Sequence, residues 1–224
     1  MRVSLLSALA FMTVALTWVG CTDFVDGPEE DYYGSGMLVS QQRTANGMSG
    51  VRIIGQGTVN VTQGDSEGLQ VEADDNIIDQ IITTVENGIL IVNMKRGSYH
   101  NVTVRVFVTM KNVNELELVG AGDIRTTAPI QTTSFTCRIT GAGDISVSGT
   151  TTSQTALISG AGSIRNFGLT SSTSSATISG TGTIELTATQ RLDGVISGVG
   201  TITYDGNPPT VNSIVSGVGS IRRR

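Results

Sequence analysis

The sequence predicts an all-β protein whose main part is a parallel β-helix, a β-solenoid with repeats of about 20 residues. Three observations carry this. The chain of 224 residues is rich in Gly, Thr, Ser, Ile and Val, while only 15% of it is charged and 4% aromatic. Long amphipathic helices draw on Glu, Lys, Leu and Ala, whereas β-branched residues punctuated by Gly favour strands. A short pattern recurs six times: LVGAGDIR (118–125), ITGAGDIS (139–146), ISGAGSIR (158–165), ISGTGTIE (178–185), ISGVGTIT (196–203) and VSGVGSIR (215–222). Aliphatic residues also keep fixed offsets from the first glycine of each copy. Leu118, Ile139, Ile158, Ile178, Ile196 and Val215 stand two before it, and Ile124, Ile145, Ile164, Ile184, Ile202 and Ile221 stand four after it.

The N-terminus comes first in chain order. MRVSLLSALAFMTVALTWVGC places one basic residue before an apolar run, the layout of a secretory signal peptide. The run ends at Gly20-Cys21, which resembles a bacterial lipobox, although Trp18 stands where Leu is usual. Residues 1–20 are therefore read as a lipoprotein signal peptide and Cys21 as the lipidated residue. Two or more acyl chains give stable attachment to a membrane. Residues 21–36 hold five acids (Asp23, Asp26, Glu29, Glu30, Asp31), no base and no period. They read as an acidic, flexible tether.

Residues 37–224 read as one continuous domain. Its front part alternates apolar and polar residues in VRIIGQGTVNVTQG, EGLQVEA, ITTVENGILIVNM and VTVRVFVTM. Asn87-Gly88 is a turn signal between two apolar runs. Ile77, Ile78, Ile81 and Ile82 have the spacing of a single helical turn. A fainter copy of the repeat, IIGQGTVN, lies at 53–60.

In the repeat half the first glycines are Gly120, Gly141, Gly160, Gly180, Gly198 and Gly217, in steps of 18 to 21 residues. A unit this short cannot bury its own apolar face, but stacked units bury one continuous face. The aliphatic columns are then ladders inside the coil, on turns about 4.8 Å apart. Cys137 falls in an inward column of mostly small residues and reads as a packed core thiol. The paired glycines serve a bend or a close backbone approach that a Cβ would obstruct.

These repeats, the QGDSEGLQVEADDNIIDQIITTVENGILIV block before them and the lipoprotein-like start together resemble the GIN-domain family of auto-transporter adhesin heads. The resemblance spans about residues 37–224. It implies a right-handed parallel β-helix-like fold in the bacterial envelope and brings no catalytic motif.

The candidate chemistry is sparse. His100 is the single histidine and sits in KRGSYHN, read as a loop between strands. Lys95, Arg96, Tyr99 and His100 in that loop are the candidate ligand contacts. No Cys/His spacing suits zinc. Asp123 and Asp144 share a column on neighbouring turns and are the weak candidates for a shared Ca²⁺, against the plainer reading of two solvated turn acids. No catalytic residue and no cofactor is indicated.

Residues 37–224 hold 14 acids and 13 bases, so a nearly neutral domain excludes nucleic acid as the main partner. Three function classes remain. The first is a binding or adhesion module, lipid-anchored in the outer membrane and facing either the surface or the periplasm, with an extracellular protein or glycan as a candidate ligand. The second is a structural component that associates with itself through open solenoid ends. The third is a polysaccharide-active enzyme built around Asp123, Asp144, Arg125 and Arg165. Arg222–Arg224 close the sequence, as charge that blunts a strand edge or as a basic contact patch.

Overall fold

The computed structural model describes residues 30–224. The signal peptide, Cys21 and most of the tether lie outside the described residues. The front part contains β1 (Asp31–Tyr33), β2 (Leu38–Arg43), β3 (Gly50–Ile53), β4 (Gln56–Gln63), β5 (Gly68–Asp74), β6 (Ile81–Glu86), β7 (Ile89–Met94), β8 (Ser98–His100) and β9 (Val104–Met110). The repeat part contains β10 (Glu115–Leu118), β11 (Ala121–Thr126), β12 (Ile130–Ile139), β13 (Ala142–Ser146) and β14 (Gly149–Ile158). It continues with β15 (Ala161–Ile178), β16 (Thr181–Ile196), β17 (Val199–Asp205), β18 (Thr210–Val215) and β19 (Val218–Arg223).

The strands wind into a β-solenoid of about five turns with roughly 20-residue spacing. One parallel ladder runs β7–β3–β10–β12–β14–β15–β16–β18. A second runs β9–β4–β11–β13–β15–β16–β17–β19. Register follows the glycines: Gly57, Gly122, Gly143, Gly162, Gly182, Gly200 and Gly219 are successive partners. The two aliphatic columns line the interior, and from Leu118 and Ile124 to Ile196 and Ile202 their members are fully buried.

Each turn rests on its predecessor at a corner. The amides of Ser159 and Gly160 both donate to the Ile139 carbonyl, and Ala161 N–H donates to the Gly141 carbonyl. The same triple recurs at Thr140–Ala142, Ser179–Thr181, Ser197–Val199 and Ser216–Val218. Drawing two successive amides onto one carbonyl brings the backbones together. A Cβ at Gly141 would overlap the Gly120 and Val119 carbonyls of the turn below. The second glycine has a separate reason, since Gly122 and Gly143 sit at φ of 137° and 138°, where side chains are strained.

The front part departs from a simple climb. The chain enters at β3–β4, folds back through β5 and the β6–β7 hairpin, and lays β7 and β9 beneath β3 and β4. It then crosses to β10, which stacks on the other side of β3. Antiparallel β5–β2 and β6 form the outer edges of this end. The β6–β7 turn is Asn87-Gly88 as expected, both at positive φ. The expected helical turn is shorter than its isoleucine spacing suggests. A 3₁₀ turn covers Ile78–Gln80, and Ile81 and Ile82 already belong to β6, drawn into strand pairing with Met94 and Asn93.

The loop expected at 95–101 contains a strand. Residues 31–33, within the segment read as tether, pair in parallel with 98–100 as a two-stranded ribbon. Among the described residues each three-residue strand is the other's only strand partner, so neither had a period to read. Outside the coil, Arg52, Glu117 and Arg138 share a column. The Glu117 carboxylate lies 2.5 Å from Arg52 Nε and 3.7 Å from Arg138 Nε. Cys137 is buried, donates to the Thr155 carbonyl and has its thiol pushed up to about 12 by desolvation, with the Asn166 hydrogen bond acting the other way.

Gly141→Ala will destabilise the protein by about 1–3 kcal/mol or more in denaturant titration, because the backbone it meets cannot yield. Gly68→Ala, where a Cβ meets nothing within 4 Å, will change stability by less than about 0.5 kcal/mol. In a Cys21→Ala chain, Cys137 will resist thiol reagents at pH 8 until denaturant is added. A pKa of about 12 leaves roughly one thiol in ten thousand ionised.

Candidate functional site

The β1–β8 ribbon stands beside the corner formed by the first glycines. Successive strand residues point to opposite faces, and this divides the four candidate ligand contacts. Lys95, Arg96 and Tyr99 line one groove of about 700 Å³, whereas His100 does not line it. The groove floor is the backbone of Gly55, Gly120 and Gly141 with Ala121 and Ala142, and Met94 forms part of its wall. Missing side chains at the corner therefore leave room above the sheet.

Aromatic stacking fixes the ribbon. Tyr32 and Tyr99 stack at 5.0 Å and 11°, and Tyr33 and His100 at 4.8 Å and 22°. Tyr99 donates its hydroxyl hydrogen to the Lys95 carbonyl at 2.8 Å, which closes the turn carrying the two bases. The Tyr32 hydroxyl donates to the Glu30 carboxylate, and this bond pushes its phenol up to about 12. Burial, and then the Glu30 charge, raise Tyr99. His100 Nε2 lies 3.3 Å from Asp31 Oδ1, and among the described residues no hydroxyl or thiol hydrogen-bonds to its ring.

Asp123 and Asp144 are register partners, as the column implied. Asp144 accepts from Arg165 Nη1 at 2.7 Å and from Ser163 N–H at 3.1 Å. Arg165 thus supplies the positive charge beside the carboxylates. Arg125 instead donates to Asn60 Oδ1 at 2.7 Å. Among the described residues no group of three or more His, Cys, Asp or Glu converges as metal ligands.

A larger polar groove of about 1120 Å³ was not read from the sequence. It is lined by Asn87, Asn112, Asn114, Glu115, Gln131 and Thr132, among others. Asn112 and Asn114 lie on the β9–β10 crossover, Asn87 on the hairpin turn, and Gln131 and Thr132 on β12. The Asn-rich turn was a local signal, but the crossover that gathers these three segments was not.

The family model described as "Putative auto-transporter adhesin, head GIN domain" matches residues 48–208. A "putative adhesin" of Bacteroides fragilis is 21% identical, with a TM-score of 0.71 over 86% of this chain and 100% of that one. A "putative lipid binding protein" of Parabacteroides distasonis is also 21% identical, with a TM-score of 0.55 over 87% and 100%. A "putative adhesin" of Parabacteroides merdae is 18% identical, with a TM-score of 0.52 over 87% and 99%. These identities speak to the fold alone. No curated protein matches the chain. With the family model covering well over half of its residues, the chain belongs to the GIN-domain family of auto-transporter adhesin heads.

Proposed function

We propose that the chain is a non-catalytic adhesion head, anchored to the outer membrane through lipid on Cys21 and exposed at the cell surface. The observation that carries this reading is the position of the β1–β8 ribbon. It holds the point where the chain enters the domain, at Glu30, against the rim of the groove lined by Lys95, Arg96 and Tyr99. Glu30 stands nine positions after Cys21, so the domain sits at most about 30 Å beyond the anchor.

The groove suits binding more than chemistry. Arg96 and the stacked Tyr99, residue types over-represented among binding hot spots, stand with Lys95 at the β7–β8 turn and on β8. An extracellular protein or glycan bearing carboxylate or sulfate groups fits the Lys95 ammonium. Tyr99 offers its ring edge and a hydroxyl. Membership of an adhesin family supports the same reading.

Protease shaving of intact cells tests the location. The domain will be cleaved from whole cells, and Cys21→Ala will shift it from the membrane to the medium. Resistance until the outer membrane is opened would place it in the periplasm and remove the adhesion role. Adhesion of the same cells to immobilised matrix proteins and sulfated glycans tests the groove. Joint replacement of Lys95, Arg96 and Tyr99 by Ala will weaken adhesion about tenfold or more, the scale of losing one hot spot. Unchanged adhesion would exclude the groove as the ligand site.

A further inference from the structure

The two ends of the coil are built differently but match. At the far end, β18 pairs only with β16 and β19 only with β17. At the near end, β2 pairs only with β5 and β6 only with β7. Each of the four has one edge without a strand partner among the described residues, that of β6 carrying the Arg43 guanidinium on the Ile81 carbonyl and the Thr83 hydroxyl, and each is six residues long. None contains Pro or Lys, although Arg43, Glu86, Arg222 and Arg223 place charge on three of them.

We propose that these ends join, so that copies of this chain stack head to tail into a continuing solenoid. Strand direction fits. β5 is antiparallel to both β9 and β2, so β2 runs parallel to β9 and hence to β19. β6 is antiparallel to β7 and hence to β18. The second ladder therefore continues as a parallel β19–β2 pair and the first as an antiparallel β18–β6 pair.

Facing fits as well. In full-length register Val218 comes beside Leu38, and Ile214 beside Ile82. All four lie on outward faces, because their strand neighbours Val215, Val39 and Ile81 face inward with Ile196, Ala73 and the core. Ile214 and Val218 are 61% and 69% exposed, unusual for large aliphatics in a coil whose other turns cover each other.

Charge favours unlike ends. The far end carries Arg222, Arg223 and Arg224, of which Arg223 donates to Asn207 and Arg224 lies over the Phe167 ring and 3.9 Å from Asp205, whereas the near end exposes Asp75, Asp79 and Glu86. Of the bases there, Arg43 is turned onto the Ile78 and Ile81 carbonyls, and Lys95 follows β7 with its amide on the Gln80 carbonyl. Tail-to-tail pairing would set six arginines together. A head-to-tail contact is heterologous, so it propagates instead of closing.

Cysteine cross-linking of the full chain in its membrane tests this. Ile82→Cys with Ile214→Cys, and separately Leu38→Cys with Val218→Cys, will give ladders of dimers, trimers and longer species after oxidation, lost on reduction. Each single variant will give no more than the wild-type background, since like ends do not meet. All four sites are on exposed faces, so the variants fold. Absence of a ladder from both double variants overturns the proposal. Dimers from Ile214→Cys alone also overturn it, in favour of tail-to-tail pairing.

Discussion

Every turn of the coil is laid on its predecessor through one repeated contact, in which two successive amides reach a single carbonyl of the turn below. The contact brings backbone within reach of backbone, and only a residue without a Cβ fits between. Two consequences follow from this constraint. The register of both ladders is set, because a one-residue slip would present a side chain where Gly141 or Gly160 meets a carbonyl. The aliphatic columns at fixed offsets are then aligned as well, and the core follows from the corner.

The groove depends on the same corner. Gly55, Gly120 and Gly141 leave a bare floor, and the β1–β8 ribbon raises Lys95, Arg96 and Tyr99 beside it. The ribbon is held by ring stacking, not by a core, and it joins the domain to the segment leading from Cys21. The first described residue, Glu30, and the groove thus lie in one region of the molecule.

The repeat half was legible because its information is local and periodic. Ile139 and Ile158 announce their ladder by spacing alone, and Cys137 its burial by the column it occupies. The front half was legible strand by strand but not in order. Nothing local to β9 says that β10 passes over β3, so the Asn112–Asn114 groove was missed. Tyr32 and Tyr99 were missed as partners because a three-residue ribbon shows no alternation and its halves lie 67 residues apart. Lys95, Arg96 and Tyr99 were found together as one varied polar cluster. Their separation from His100 needed the knowledge that Tyr99 lies on a strand. For Asp123 and Asp144 the column gave the adjacency, but it could not give the Arg165 side chain that reaches back to Asp144.

The central claim is that the glycine corners are hydrogen-bonded seats between turns and not surface loops. Amide hydrogen exchange on the native protein tests it most directly. The account predicts that the amides of Gly141, Gly160, Gly180 and Gly198 exchange as slowly as those of the buried strand residues beside them. Exchange at the rate of exposed loops, with the flanking strands still protected, would contradict it.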